Sequence, residues 1–427
     1  MNFTGLSTDQ APPIDVPLRF FLTAPLFGVL AGILLLFSDI TSFMSRYSIE
    51  AIVTTHIITV GFFSFVMFGA LTQMLPVLAG AKIYKVVLIT RIAHLLMSFG
   101  LIMMILGLLQ NSSLFSLLSF LSLGSGFFIM IISVLSAIRG VKNITATILG
   151  MRTSMFFAFI IVVLGIFLLS SYITGSHSEL HLIVANIHSV MAIFGFIGIL
   201  IIGVSFQVLP MFYVAPHFKN FCTNYILHLV SAGLVIWLLL NLFLEEYAFL
   251  GKVWIALFFL AFATTIWKKL NERKRPISDV TIWYWRASSI FLALGVFLWV
   301  FDEFISYEYI VMVAILIGGG FIFSIMTGML YKIIPFLVWF HLNAMGYMTI
   351  PTITEMIDKR LAKIQFSFFI VALIGFIISF HIPYFFEFSA ISFIISMIVL
   401  QYNILAPILI YLKTKKTEPD FDMSAFK

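Results

Sequence analysis

Apolar residues run along this chain in long blocks, and polar residues gather in the short gaps between them. Each block reaches roughly 20 residues or more, enough for a helix to cross a ~30 Å hydrocarbon core. The pattern predicts twelve spans, near 17–38, 51–80, 84–109, 114–138, 146–172, 182–213, 220–244, 247–268, 280–301, 309–340, 361–382 and 385–413. The tenth should carry an extension beyond Pro335. The expected fold is an all-α polytopic membrane protein, one membrane domain over 1–427.

Composition agrees: 62% of the residues are hydrophobic and 10% are charged, too few charges to cover a soluble domain of 427 residues. The charges sort by loop. Lys82, Lys85, Arg139, Lys142, Lys219, the run Lys268 to Arg275, Lys359, Arg360, Lys363 and Lys413 to Lys416 fall on one side. Asp39, Glu179, Glu245, Glu246, Asp302, Glu303, Glu308 and Glu387 fall on the other, with few cations. Lys/Arg excess marks the cytoplasmic side, so both termini are expected inside a bacterial-type plasma membrane. The net charge of +6 follows from this loop bias, and a nucleic-acid partner is not expected. The basic run before the ninth span is either a solvated loop or a contact for anionic headgroups.

Cys222 is the sole cysteine, which excludes a disulfide framework, a CxxC pair and covalent heme attachment through CxxCH. The opening MNFTGLSTDQAPPIDV lacks the basic stretch of a cleavable signal peptide, and the tail TKKTEPDFDMSAFK is too short for a domain.

One phrase recurs late in spans 2, 6 and 10: GALTQMLP at 69–76, GVSFQVLP at 203–210 and GMLYKIIP at 328–335. Upstream, Arg19, Arg152 and Arg286 stand near the starts of spans 1, 5 and 9. These marks predict three four-helix repeats, 17–143, 146–275 and 280–414. An even helix number gives all three one orientation, so they can ring a pseudo-threefold axis. Within the phrase, Gly and the Gln or Lys four residues on share a helix face. Gly permits close helix approach, the polar group can bond across it, and Pro kinks or ends the helix. Gln73 and Gln207 read as packing residues. Lys332 is a costly buried ammonium, which either meets a carboxylate or a wet cavity, or snorkels to the surface.

Nine histidines punctuate this apolar sequence. His56 and His188 open spans 2 and 6 toward the outer face, and His177 and His181 precede span 6 on that side. His181 and His188, seven apart, share a face if the helix starts early. His94 and His228 lie about ten residues into spans 3 and 7, roughly 15 Å deep. Neutral imidazole ligates heme iron and copper, and also serves as a plain hydrogen-bonding group between helices. Both roles stay open here. A thioether copper path through Met67 or Met74 is a weaker option.

Twelve spans, three four-helix arcs, both termini inside and a His opening the second span together resemble subunit I of heme-copper oxidases. THIITVGFFSFVMFGALTQMLPVLAGAKI is similar to that family's second helix, where an outer-face His ligates the low-spin heme. LRFFLTAPLFGVLAG before it is similar to the opening of NnrS-family proteins, heme- and copper-containing relatives linked to nitric oxide metabolism. The resemblance covers the chain in topology but only two helices in motif. It implies heme b, with His56 as a ligand and His188 as its partner, His94 and His228 as the second choice. Copper is implied too, with His177 and His181 as candidate metal ligands. The departures are clear: His188 is followed by Ser189-Val190-Met191 in place of HPEVY, span 7 has His228-Leu229 in place of paired histidines, span 10 lacks His-x-His, and the NnrS HxHE signature is missing. Oxygen reduction and proton pumping are therefore not expected. What remains is a heme protein of electron transfer, nitric oxide handling or respiratory-complex assembly, with respiratory-chain components as partners. The alternatives are a cofactor-free transporter or channel for copper or a small metabolite, and an enzyme using quinone or a gas with a bound metal.

Overall fold

Short polar side chains set several helix starts. Ser48, Ser112, Thr145, Asp279 and Asp358 each accept a hydrogen bond from a first-turn amide, groups that apolar surroundings would leave orphaned. The computed structural model describes residues 11–43, 45–275, 278–304 and 309–421; Glu308 and the extreme ends of the chain lie outside them.

Twelve helices are long and apolar enough to cross a bilayer: α1 Asp15–Leu36, α2 Ile49–Ala79, α3 Val86–Leu109, α4 Ser113–Arg139, α5 Ala146–Thr174, α6 His181–Tyr213, α7 Asn220–Phe243, α8 Glu245–Asn271, α9 Val280–Phe304, α10 Ile310–Ala344, α11 Lys359–Ser379 and α12 Phe385–Thr414. The protein is thus a multi-pass helical membrane protein, with outward apolar side chains such as Leu95, Phe156 and Phe297 left exposed for lipid. The octet prolines do not stop their helices: α2 and α6 run three residues past Pro76 and Pro210, and α10 runs nine past Pro335 to Ala344.

Burial sorts the helices into two shells. α2, α6 and α10 are the most enclosed, with 72, 78 and 61% of their spanning windows buried against 56% or less elsewhere. α1 packs on α2 and α3, α3 on α4, and α4 on α5. α5 packs on α6 and α7, α7 on α8, and α8 on α9. α9 packs on α10 and α11, α11 on α12, and α12 returns to α1. α10 also meets α2 and α6 at the centre.

Each inner helix contains a π-helical stretch: 57–64 in α2, 191–198 in α6 and 315–323 in α10. Each ends five residues before the Gly of the repeated octet. Eight residues before that Gly stands a second one, Gly61, Gly195 or Gly320, whose missing Cβ leaves room for the ring of Phe27, Phe157 or Phe291 on the neighbouring helix. The octet glycines admit the same neighbours one step on: Gly69 meets Phe20 and Phe21, Gly328 meets Tyr284, and Gly203 meets Gly150, where a Cβ would sit 2.8 Å from the facing Cα. In this register Arg152 and Arg286 are equivalent, each two residues past the contact at Gly150 or Tyr284. Arg19 lies one residue before the contact at Phe20, three positions out of step.

Candidate functional site

A chamber of ≈ 940 Å³ opens in the half of the bundle where the acidic loops lie. Its wall is mainly Leu, Ile, Val and Phe, with a few polar groups brought by α2 and α6. That size lies in the range of roughly 300–1,000 Å³ typical of cofactor pockets. Phe323, Phe369 and Phe393 line its floor, and Phe323 stacks on Phe62 with centroids 4.2 Å apart.

His56 and His188 both line the chamber, with ring centres 6.2 Å apart and planes 23° apart. His56 Nδ1 lies 2.7 Å from the Ile52 carbonyl. A carbonyl accepts only from N–H, so this bond places the proton on Nδ1 and leaves the Nε2 lone pair free. His188 Nδ1 is buried and makes no well-aligned hydrogen bond among the described residues, although the Ile161 carbonyl of α5 faces its ring. Beside its ring lies Gly165 of α5, where a Cβ would come within 3.2 Å of His188 Cε1. The π-helical stretches begin one residue after His56 and three after His188; such stretches recur at functional sites because they shift side-chain phase within a continuous helix.

The two histidines are not register copies. His56 stands 13 residues before Gly69, while His188 stands 15 before Gly203, and both intervening π-helical stretches are eight residues long. The positions matching His188 are Thr54 and Val313, and those matching His56 are Val190 and Ile315. All four also line the chamber. Duplication of one ancestral His therefore does not account for the pair.

His181 and His177 line the mouth of the same chamber, ring centres 4.7 Å apart, with Ser171 Oγ 3.2 Å from His181 Nδ1 and the Tyr172 ring 5.4 Å from that of His177. Among the described residues no group of three or more His, Cys, Asp or Glu could hold a metal ion. The second-choice pair is not brought together. His94 Nε2 lies 2.9 Å from Thr23 Oγ1 and its ring packs edge-on against Phe20 and Phe65, whereas His228 is exposed on α7.

The other polar intramembrane residues scatter. Arg19 pairs with Asp15 at 2.5 Å, Arg152 is half-buried, and Arg286 donates to Asn271 Oδ1 at 3.2 Å. Gln207 is exposed, and Gln73 is buried with neither amide atom hydrogen-bonded. Lys332 meets a carboxylate: its Nζ lies 2.6 Å from Asp279 Oδ2 and over the Tyr213 ring. Burial resists ionisation of Asp279, but the Lys332 ammonium and the Thr281 hydroxyl overcome it and hold the carboxyl below its usual range.

Two further polar groups were not marked by the sequence, although one of them includes Tyr331 of the third octet. Arg46, in the α1–α2 loop, lines the chamber and donates to Asn186 Oδ1 at 3.5 Å and Ser189 Oγ at 3.3 Å. Its one signal in the sequence is its sign, a cation on the side where cations are few. Beyond the floor, Tyr284 and Tyr331 both donate to Gln365 Oε1, Gln365 donates to Ser396, and Asn403 donates to Tyr331. These residues are scattered through four helices, and no spacing in the sequence links them.

Compared with known protein families and with curated proteins, the chain matches none.

Proposed function

We propose that the protein is an integral membrane heme protein, related in architecture to heme-copper oxidase subunit I and the NnrS proteins, that transfers electrons without reducing oxygen. The observation that carries this reading is the imidazole pair His56–His188, converging from non-equivalent positions on an apolar chamber. The two ring centres lie 6.2 Å apart with nearly parallel planes, close enough for both imidazoles to reach one bound group. The residues fit the group in protonation too. Ile52 fixes the His56 tautomer with Nε2 free, the arrangement by which backbone carbonyls orient metal-bound histidines. His56 and His188 would hold the group, and heme b would supply one-electron redox chemistry. Two protein ligands on the group would favour electron transfer over binding of a gas. The aromatic and aliphatic wall gives both imidazoles a largely apolar surrounding.

The four-helix pairing that closes from α12 onto α1, with the π-helical stretches in step, supports three repeats around a pseudo-threefold axis. The charge bias of the loops supports both termini in the cytoplasm and the chamber toward the outer face.

The same pair supports a second reading. Two imidazoles without a third strong ligand suit a single copper(I) ion. Absorption spectra and metal analysis of the purified protein decide between them. Heme predicts a Soret band and low-spin bands that disappear in both His56→Ala and His188→Ala. Copper predicts one equivalent of metal, lost in the same variants, and no Soret band. Spectra and metal content unchanged in both variants would remove the pair from either role.

A further inference from the structure

The chamber wall carries one permanent cation. Arg46 is the only Lys or Arg among its described lining residues, and Glu179 the only carboxylate. Arg46 has no ion pair within 4.0 Å among the described residues. Its guanidinium rests on Tyr47, 5.1 Å from the ring centre, and reaches α6 only through neutral acceptors at 3.5 and 3.3 Å. Charge-assisted bonds run shorter, about 2.7–2.9 Å. Those acceptors, Asn186 and Ser189, flank His188 in sequence, and all four residues line the same chamber.

We infer that Arg46 is an anion clamp, and that the chamber takes an amphipathic ligand whose apolar body fills the cavity and whose ionised carboxylate is bound by this guanidinium. An apolar wall alone would serve a neutral quinone, a sterol or a gas equally well. A half-buried, uncompensated guanidinium beside it selects an acid, because a carboxylate accepts two parallel N–H bonds from the planar fork where neutral side chains offer one each. Asn186 and Ser189 hold the fork in place until the acid arrives. The inference rests on the chamber being a ligand site, but not on iron ligation by the histidines.

The test uses the purified full-length chain and two matched probe pairs: metal-free protoporphyrin IX against its dimethyl ester, and oleate against methyl oleate. Binding is read by fluorescence or by competition. Comparing acid-to-ester ratios between the wild type and Arg46→Gln in identical micelles cancels partition into detergent. The wild type is expected to favour the acid about tenfold or more, a preference that Arg46→Gln abolishes and Arg46→Lys partly restores. Raising salt should weaken acid binding and leave ester binding unchanged. An Arg46-dependent preference in the porphyrin pair supports the clamp with a planar dicarboxylate. The same preference in the oleate pair alone supports the clamp with a fatty-acid-like ligand and leaves the heme reading to the absorption spectra. A ratio equal in wild type and Arg46→Gln for both pairs, or no binding of any probe, overturns the clamp.

Discussion

His56 and His188 bring their imidazole centres to 6.2 Å across the chamber, although in helix register they are two residues out of step. The pair is held by the local packing of α2, α5 and α6. Gly165 is the element of that packing most exposed to test, because the only atoms near its absent Cβ belong to the His188 ring.

Gly165→Leu should therefore push the His188 ring aside with little cost elsewhere. Heme or copper affinity is expected to fall about tenfold or more, the scale of a disturbed ligand-orienting shell, with the melting temperature nearly unchanged. Spectral titration alongside thermal unfolding checks it. Full affinity in this variant would mean that His188 is not a ligand.

The Gly150–Gly203 contact leaves no room for side chains, since a Cβ on Gly203 would meet backbone, the Gly150 Cα, at 2.8 Å. Gly203→Ala should force α5 and α6 apart, at about 1–3 kcal/mol. Gly140→Ala, where no atom lies within 4 Å, is the matched control and should be near neutral. Unfolding in detergent measures both.

Breaking the ion pair leaves a buried ammonium. Asp279→Asn is expected to destabilise by about 1–3 kcal/mol, less than a fully buried pair because the Asp279 side chain is 35% exposed. Asp279→Asn combined with Lys332→Met should recover most of that loss. The folded carboxyl titrates below its unfolded value of about 3.9. Its contribution is thus complete above that value and lost as pH falls through the lower folded one. Acid unfolding midpoints of wild type and Asp279→Asn test the sign: the wild-type advantage must shrink toward low pH.

Gln73 and Gln365 make a contrast between two buried amides. Gln73 has no hydrogen-bond partner among the described residues, so Gln73→Leu should be neutral or stabilising. Gln365 accepts from two tyrosines and donates to Ser396. Gln365→Leu strands those groups and should cost about 1–3 kcal/mol. Equal effects in thermal unfolding would refute the assignment.

Most of the architecture was legible in the sequence. The predicted spans agree with the helices to within a few residues, and the extension of the tenth past Pro335 is present as α10 runs to Ala344. The octets were legible as contacts between helices, but their chemistry was not. Gln73, Gln207 and Lys332 share a motif position, yet one is buried without a bond, one is exposed and one is ion-paired. A local motif fixes the helix face and leaves open what the facing helix offers.

By itself the sequence determined the features that local cost dictates: apolar blocks long enough to span, charges kept to the loops, and small residues where helices must approach. The backbone must satisfy its own hydrogen bonds in lipid, so those choices leave little besides twelve helices. Only the tertiary structure decided which histidines meet. His94 and His228 recur at the same spacing from their prolines, and packing separates them, one onto Thr23 and the other to an exposed face. His56 and His188 differ in spacing, and packing joins them. Their meeting depends on the rotation of two helices and on the open space beside Gly165, quantities set by every other contact in the bundle and written at no single position of the chain.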